Sequence, residues 1–243
     1  MLVGREVANT DNGALGCTLE SAAYEFSSSD SQFRIHDTAG LNEGDAGRVP
    51  SKDAILRLCK LIYGMSEGVS LLVFCIRAPR IVDSVKHNWT LFYDIICRKK
   101  VPVLLVVTGL EEEGDMDAWC RRLDNLNAFQ RYGIHFTAMT GVMASRGRRR
   151  ANGVHVYQEE YDASADKLRK LIEHLHLPTP WIVERLQWFR EIYKTKYKWE
   201  LCEWFPYQAM VGWGRTETTG RLISDCGMSV DDAESLAHEL EKL

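Results

Sequence analysis

A strand-like segment that ends in an aspartate, with a glycine three residues later, is the part of this sequence with the clearest chemical meaning. The segment reads Ile35-His-Asp37-Thr-Ala-Gly40 and is followed by a polar loop. An aspartate at the carboxyl end of a strand can hold Mg²⁺ through water, and the N–H of a nearby glycine can contact a terminal phosphate. Asp and Gly at this spacing also suit an ordinary turn. The complete motif, set between a strand and a polar loop, favours a magnesium and phosphate site at Asp37 and Gly40.

The elements that would position this motif are strands and helices in alternation. Two short apolar runs, residues 69–76 and 101–107, are typical of strands buried on both faces of a parallel sheet. Further strands are predicted at residues 22–26, 33–37 and 134–140, and helices at 52–65, 82–98, 116–132 and 158–175. The alternation predicts βαβ crossovers and an α/β fold with a doubly wound, mostly parallel sheet.

The last of these helices should end at Leu177-Pro-Thr-Pro180, because each proline disfavours helical geometry in the residue before it. We therefore predict a domain over residues 1–180 and a separate, aromatic-rich C-terminal extension over residues 181–243. The extension holds five of the seven tryptophans.

Two amphipathic helices are predicted in the extension. Ile182, Leu186, Phe189 and Tyr193 recur at helical spacing among basic residues, so residues 181–200 could lie on an anionic membrane surface or pack against the domain. Packing is the favoured interpretation. A second helix should begin at Ser229, where a capping box precedes an apolar face.

The motif at Asp37, together with the segments 68–77 and 103–111, resembles the G domains of a group of fungal GTPase-like proteins. These are similar to the septin and immunity-associated branches of the P-loop GTPases. The resemblance covers roughly residues 1–175. It implies a three-layer G domain that binds GTP or GDP with Mg²⁺ and hydrolyses GTP when complete.

Three residues match the magnesium and phosphate positions of these G domains. Asp37 and Gly40 match the motif that holds Mg²⁺ and the γ-phosphate. Thr18, in a loop ahead of the first predicted strand, matches the threonine that closes on Mg²⁺ when a γ-phosphate is present.

The base-binding positions match less completely. Thr108-Gly-Leu-Glu111 stands where the family has [NT]KxD, so Glu111 would accept the hydrogen bonds from guanine, and Gly109 replaces the lysine. Ala144 and Ser145 align with the loop whose backbone N–H meets the base oxygen. Guanine is the expected base. Because the side chain of Glu111 is one methylene longer than the aspartate of the family, binding of another base is also possible.

Two departures from the family concern catalysis and phosphate binding. Leu41 stands where Ras-like enzymes keep the glutamine that orients water, so no catalytic residue is assigned. No GxxxxGK[ST] motif occurs in the 243 residues. We expect that the first strand and the phosphate-binding loop are missing, through a truncated record or true loss. As written, the chain would be an inactive GTPase, or a nucleotide-free pseudo-GTPase that acts as a protein-interaction module.

Composition limits the partners and the compartment. A net charge of −4 argues against a general nucleic-acid binder. The arginine-rich loop at residues 146–150 is interpreted as a solvated loop, with contact to phosphate or nucleic acid as the alternative. The seven cysteines form no CxxC pair, which indicates reduced thiols and a cytoplasmic protein. The expected partners are a guanine nucleotide and a protein effector or second copy.

Overall fold

The computed structural model describes residues 1–4, 22–28, 31–38, 52–79, 83–186, 189–200 and 203–243, with backbone only at residues 83–84 and over most of 189–213. Its centre is a three-stranded parallel sheet in the order β3-β4-β5. The strands are β3 (Leu72–Arg77), β4 (Val103–Thr108) and β5 (Ala138–Gly141). Residues 103–107 of the central strand are all buried, as expected for a strand covered on both faces.

The connections between these strands are helical, as the sequence pattern predicts, and further helices precede β3 and follow β5. The helices are α1 (Lys52–Gly64), α2 (Asp83–Trp89) continuing as a π-helix (Thr90–Ile96), α3 (Met116–Arg121), α4 (Leu123–Arg131) and α5 (Gln158–Leu175). The single helix predicted over 116–132 is divided at Arg122, which has extended backbone angles. The described residues therefore form an α/β structure in which helices flank a parallel sheet.

An antiparallel hairpin stands beside this sheet without pairing to it. It consists of β1 (Ala22–Ser28) and β2 (Ser31–Asp37). Phe26 of the hairpin shares an apolar cluster with Leu104 and Val106 of β4 and with Leu168 and Ile172 of α5. Helix α5 therefore packs against both the hairpin and one face of the parallel sheet.

The predicted helix over residues 181–200 is wrong. Phe189–Glu200 forms strand β6, which pairs antiparallel with β7 (Glu203–Arg215). The aromatic and β-branched residues of this segment have high strand propensity, and the partner strand satisfies their backbone groups in a way that periodicity alone does not reveal. Within the described ranges, no helix is both long and apolar enough to cross a bilayer.

The second predicted helix of the extension is confirmed. After α6 (Glu217–Ser224), helix α7 (Val230–Glu241) begins at Ser229, whose hydroxyl accepts a hydrogen bond from the N–H of Asp232. Its buried face packs against α1, and Lys52 of α1 forms an ion pair with Glu239 at 2.8 Å. This helix therefore docks on the α/β unit. The domain boundary at residue 180 stays a prediction.

Candidate functional site

A cleft of about 1660 Å³ separates the hairpin from the edge of the parallel sheet. One side is formed by residues 34–37 of β2 with Thr38 after them, and the other by Leu71 and residues 72–75 of β3. Helix α1 contributes Leu58 and Ile62 to the lining, and α5 contributes Leu168. The cleft thus lies between two strands that do not pair with each other.

Asp37 is exposed at the carboxyl end of β2, in the lining of this cleft. The Cys75 side chain is exposed to the cleft, but desolvation by the surrounding protein, and after it the carboxylate of Asp37, raises the pKa of its thiol to about 11. Arg34 of β2 forms an ion pair with Glu67, ahead of β3, at 3.2 Å, and residues 34–37 and 72–75 line the same cleft, so β2 lies beside β3 with the cleft between them. Among the described residues, no hydrogen bond or ion pair reaches the carboxylate of Asp37, so its oxygens are free for another ligand.

The loop after β5 brings two further predicted residues to the same cleft. Ala144 and Ser145 are exposed and line it together with Asp37. Ser164 of α5 fixes the start of this loop by accepting a hydrogen bond from the N–H of Met143 at 3.0 Å. The Ser145 hydroxyl accepts from the N–H of Gly147 at 3.1 Å, which closes a tight turn.

Three residues of the lining were not assigned to the site from the sequence. The guanidinium of Arg146 lies 4.8 Å from the ring centroid of Tyr161, so a cation is held by an aromatic face in the cleft. His155 also lines the cleft, and its Nδ1 lies 2.9 Å from the carbonyl oxygen of Gly147. Arg146 belongs to the arginine-rich loop identified in the sequence, but only the structure shows that it lines the cleft. No sequence signal marks Tyr161 or His155.

The predicted base-contact residues after β4 lie outside the cleft lining. The hydroxyl of Thr108 donates to the carbonyl oxygen of Ile76 at 3.2 Å and is thereby engaged within the sheet. Glu111 is half-buried, and no hydrogen bond or ion pair to it is found in the described part of the chain. Since β4 and β5 are adjacent parallel strands, the loops at residues 108–111 and 142–145 leave the same edge of the sheet.

The structure explains why residue 109 is a glycine rather than a lysine. Its φ is +75°, a left-handed value, and a Cβ there would lie 3.0 Å from Cγ of Arg77. The exposed side chain of Arg77 therefore passes over the position where the resemblance expects a lysine. A lysine at 109 would require both a strained backbone and a shift of Arg77.

Two predicted residues, Thr18 and Gly40, lie outside the described residues, as does Leu41. A cluster of three or more metal-ligating side chains is absent from the described ranges. Mg²⁺ does not need one, because it is usually bound through one or two carboxylates, several waters and substrate phosphates. The single free carboxylate of Asp37 therefore fits Mg²⁺ bound together with a phosphate, and does not fit a resident structural metal.

No family model matches this chain, and no curated protein matches it significantly.

Proposed function

We propose that the chain is a guanine-nucleotide-binding domain of the P-loop GTPase type, with its nucleotide at the carboxyl-end opening of the cleft. The observation that supports this most strongly is the convergence of Asp37 with Ala144 and Ser145 in one lining. These residues are more than 100 positions apart in the sequence, and the resemblance assigned them to the two ends of one ligand. Open α/β sheets bind ligands outside the carboxyl ends of their strands.

The phosphate end of the ligand would lie at Asp37. Its free carboxylate would hold Mg²⁺ through water, and the metal would neutralise charge on the phosphates. Arg146, held against Tyr161, would add a fixed positive charge to the same cleft. A guanidinium is well suited to phosphate oxygens, because its planar N–H groups can donate in pairs.

The base would lie toward the loops after β4 and β5. The backbone N–H of Ser145 would meet the base oxygen, and the Glu111 carboxylate would accept from the guanine N–H groups. Arg77, whose Cγ lies beside Gly109, would pack its side chain along the base in place of the lysine stem of the family. The specificity for guanine is part of this proposal.

The affinity of the 243-residue chain should be low. No GxxxxGK[ST] motif is present, so the usual cradle of N–H donors and its lysine are missing from the sequence. Charge-assisted hydrogen bonds of this kind contribute about 1.5–3 kcal/mol each. We therefore expect Kd in the high-micromolar range or weaker, and no residue is assigned to hydrolysis.

Titration with a fluorescent GTP analogue, in Mg²⁺ and in EDTA, tests the proposal. Asp37→Asn should weaken binding about five- to tenfold in Mg²⁺ and leave the EDTA value unchanged, because the lost carboxylate acts only through the metal. Glu111→Ala should flatten the preference for GTP over ATP in competition.

Asp124→Asn is the matched control, since this exposed aspartate of α4 lies outside the cleft lining. It should leave both titrations unchanged. If binding by Asp37→Asn depends on Mg²⁺ as strongly as binding by the wild-type chain does, the proposal that Asp37 holds the metal is wrong. Sub-micromolar affinity would contradict the weak binding expected without the phosphate-binding loop.

The second candidate is a pseudo-GTPase that keeps the fold as a protein-interaction module. The observation that favours it is the cleft itself, which separates two strand edges that are not paired with each other. Absence of any nucleotide binding, with the fold intact by circular dichroism, would support this candidate over the first.

A further inference from the structure

We infer that the β6–β7 hairpin binds the surface of an anionic lipid bilayer, with a face of aromatic residues at the headgroup level and a row of basic residues drawn to the negative surface charge. The inference goes beyond nucleotide binding and does not depend on it, because the hairpin and the cleft share no residue.

The pairing of β6 with β7 assigns the residues of this hairpin to two faces. Opposed residues of an antiparallel pair lie on the same face, and successive residues of one strand lie on opposite faces. The pair Trp199↔Trp204 therefore lies on one face, and the pair Lys196↔Tyr207 lies on the other. The register shift after Ile192 adds a residue to β7 and leaves the alternation along β6 unchanged.

The two faces differ sharply in composition. Six aromatic residues fall on one of them, the aromatic face: Phe189, Tyr193, Tyr197, Trp199, Trp204 and Trp213. Four basic residues of β6 fall on the other, the basic face: Arg190, Lys194, Lys196 and Lys198. Successive lysines of this row are about 6.8 Å apart, since a strand rises about 3.4 Å per residue. The β6–β7 hairpin is therefore an amphipathic ribbon.

Solvent reaches the aromatic face near the middle of the ribbon. Gln208, which pairs with Thr195 on this face, is exposed. At the base of the ribbon, Arg215 forms an ion pair with Glu234 of α7 at 2.7 Å. Gln208 is separated from this attachment by about 24 Å of strand. The ribbon is thus attached at its base, and its aromatic face is accessible farther along.

This arrangement fits the surface of an anionic bilayer. Tryptophan and tyrosine concentrate at the headgroup level of membranes, because their rings are apolar and carry one polar group. The negative potential of an anionic leaflet attracts lysine and arginine over about 8 Å at physiological ionic strength. Lysine also has a long stem, which lets a charge on the far face of a thin ribbon reach the level of the phosphates.

A single-stranded nucleic acid fits the ribbon less well. Proteins that bind such a ligand combine cations for the phosphates with aromatic residues for the bases in one groove. Within residues 189–200 and 203–215, two aromatic residues, Phe205 and Tyr207, share the basic face, whereas six lie on the opposite face. The net charge of −4 also disfavours a polyanion that extends beyond the ribbon.

Co-sedimentation of the 243-residue chain with two kinds of vesicle tests the inference. One kind contains phosphatidylcholine alone, and the other contains phosphatidylcholine with phosphatidylserine. Binding should require phosphatidylserine and weaken as the salt concentration rises. The triple variant Lys194→Gln, Lys196→Gln, Lys198→Gln should bind at least about tenfold more weakly, because three charges are lost at the surface.

The matched control is a second triple variant, Lys86→Gln, Lys100→Gln, Lys170→Gln, which changes exposed lysines of the α/β unit. Both triple variants have the same net charge, so a difference between them assigns the effect to the ribbon. The control should bind within about twofold of the wild-type chain.

Quenching of tryptophan fluorescence by brominated phospholipids reports which face meets the bilayer. The double variant Trp199→Phe, Trp204→Phe keeps an aromatic residue at both positions, so it should still bind but lose a clear part of the quenching. Trp119→Phe is the control, because Trp119 is buried in the core of the α/β unit. It should leave the quenching unchanged.

Four results would overturn the inference: no binding to vesicles with phosphatidylserine, equal weakening in both triple variants, full quenching in the double variant, or binding of a single-stranded oligonucleotide but not of vesicles. The last would assign the basic face to nucleic acid. If a ribbon variant does not fold, the wild-type chain on the two kinds of vesicle decides. Absence of nucleotide binding would leave the inference untouched, and absence of vesicle binding would leave the nucleotide site untouched.

Discussion

The two edges of the parallel sheet, at β5 and at β3, differ in the polar contacts that hold them to neighbouring elements. On the β5 side, Asp117 of α3 accepts hydrogen bonds from the hydroxyl of Thr140 and the N–H of Gly141, both at 3.0 Å. Lys167 of α5 donates to the other oxygen of Asp117 and to the carbonyl oxygen of Gly141, both at 2.8 Å. A strand and two helices are thereby joined through one carboxylate.

On the β3 side, the polar contacts that hold the β1–β2 hairpin within the described residues are an exposed ion pair between Arg34 of β2 and Glu67 ahead of β3, at 3.2 Å, and a hydrogen bond from the Ser28 hydroxyl to Glu173 of α5, also at 3.2 Å. The edge of β3 faces a cleft, and the hairpin beyond it is held through the apolar cluster under α5 rather than by backbone pairing. One side of the sheet is therefore held by a connected polar network, whereas the other is held to the hairpin mainly by apolar packing under α5.

A matched pair of leucines should give the largest effect. Leu104 of β4 is completely buried, whereas Leu71 lines the cleft and is only partly buried, although both belong to the cluster under α5. Leu104→Ala should reduce the free energy of unfolding by about 2–5 kcal/mol, because it leaves a cavity in a packed core. Leu71→Ala should cost less than about 1 kcal/mol, because solvent already reaches the site. Urea denaturation measures both, and equal costs would mean that the cleft side is as tightly packed as the centre.

Gly141→Val tests how closely α3 approaches β5. A Cβ at residue 141 would lie 2.7 Å from the carbonyl oxygen of Met116, a backbone atom that cannot turn aside. The substitution should therefore destabilise the protein by about 1–3 kcal/mol. Gly114→Ala is the control, since a Cβ there meets nothing within 4 Å. Thermal unfolding of the two variants should show a clear loss only for the first, and a neutral Gly141→Val would refute the close approach.

Asp117→Asn should give a smaller, pH-dependent effect. Partial burial acts to raise the pKa of Asp117, but hydrogen bonds from Lys167, Gly141 and Thr140 outweigh it and hold the pKa below its usual value. A lowered folded-state pKa stabilises the protein above the unfolded value near 4, and this stability is lost as the pH falls through the folded value.

At pH 7 the variant should therefore lose about 1–2 kcal/mol, a range reduced for the partial exposure of the pair. The difference from the wild type should shrink as the pH is lowered below about 4. Denaturation at several pH values measures it, with Asp124→Asn, which removes an exposed carboxylate of α4, as the control variant. A constant difference across that range would mean that the charge of Asp117 is not the cause.

Thiol labelling should give the smallest perturbation and report on the cleft directly. Cys75 is exposed, whereas Cys59, Cys97, Cys120 and Cys226 are buried. Iodoacetamide should therefore modify Cys75 before these four, with a rate that rises steeply with pH because its pKa is raised to about 11. Peptide mass spectrometry identifies the modified residue. Labelling of a buried cysteine at an equal rate would show that the core opens as readily as the cleft.

Much of the fold was predictable because its elements carry strong local patterns. The buried runs at β3 and β4 read as strands through their continuous apolar character, and α5 was predicted with the bounds that the structure has. The start of α7 was predictable because Ser229 caps the helix with its side chain, which is an interaction between residues close in sequence. The strand β6 was missed because the same residues also fit a helical stripe, and only its pairing with β7 decides between the two.

The sequence by itself determined which residues have chemistry to offer. Asp37 follows a strand, Ser145 follows another, and both positions depend only on local pattern. The tertiary structure decided which of them meet. It brought Asp37, Ser145 and Arg146 to one cleft, left Thr108 and Glu111 outside its lining, and placed Arg77 over Gly109. The reason is physical: local pattern sets where a strand begins and ends, whereas the distance between two strand ends depends on long-range pairing and on the helix that covers both.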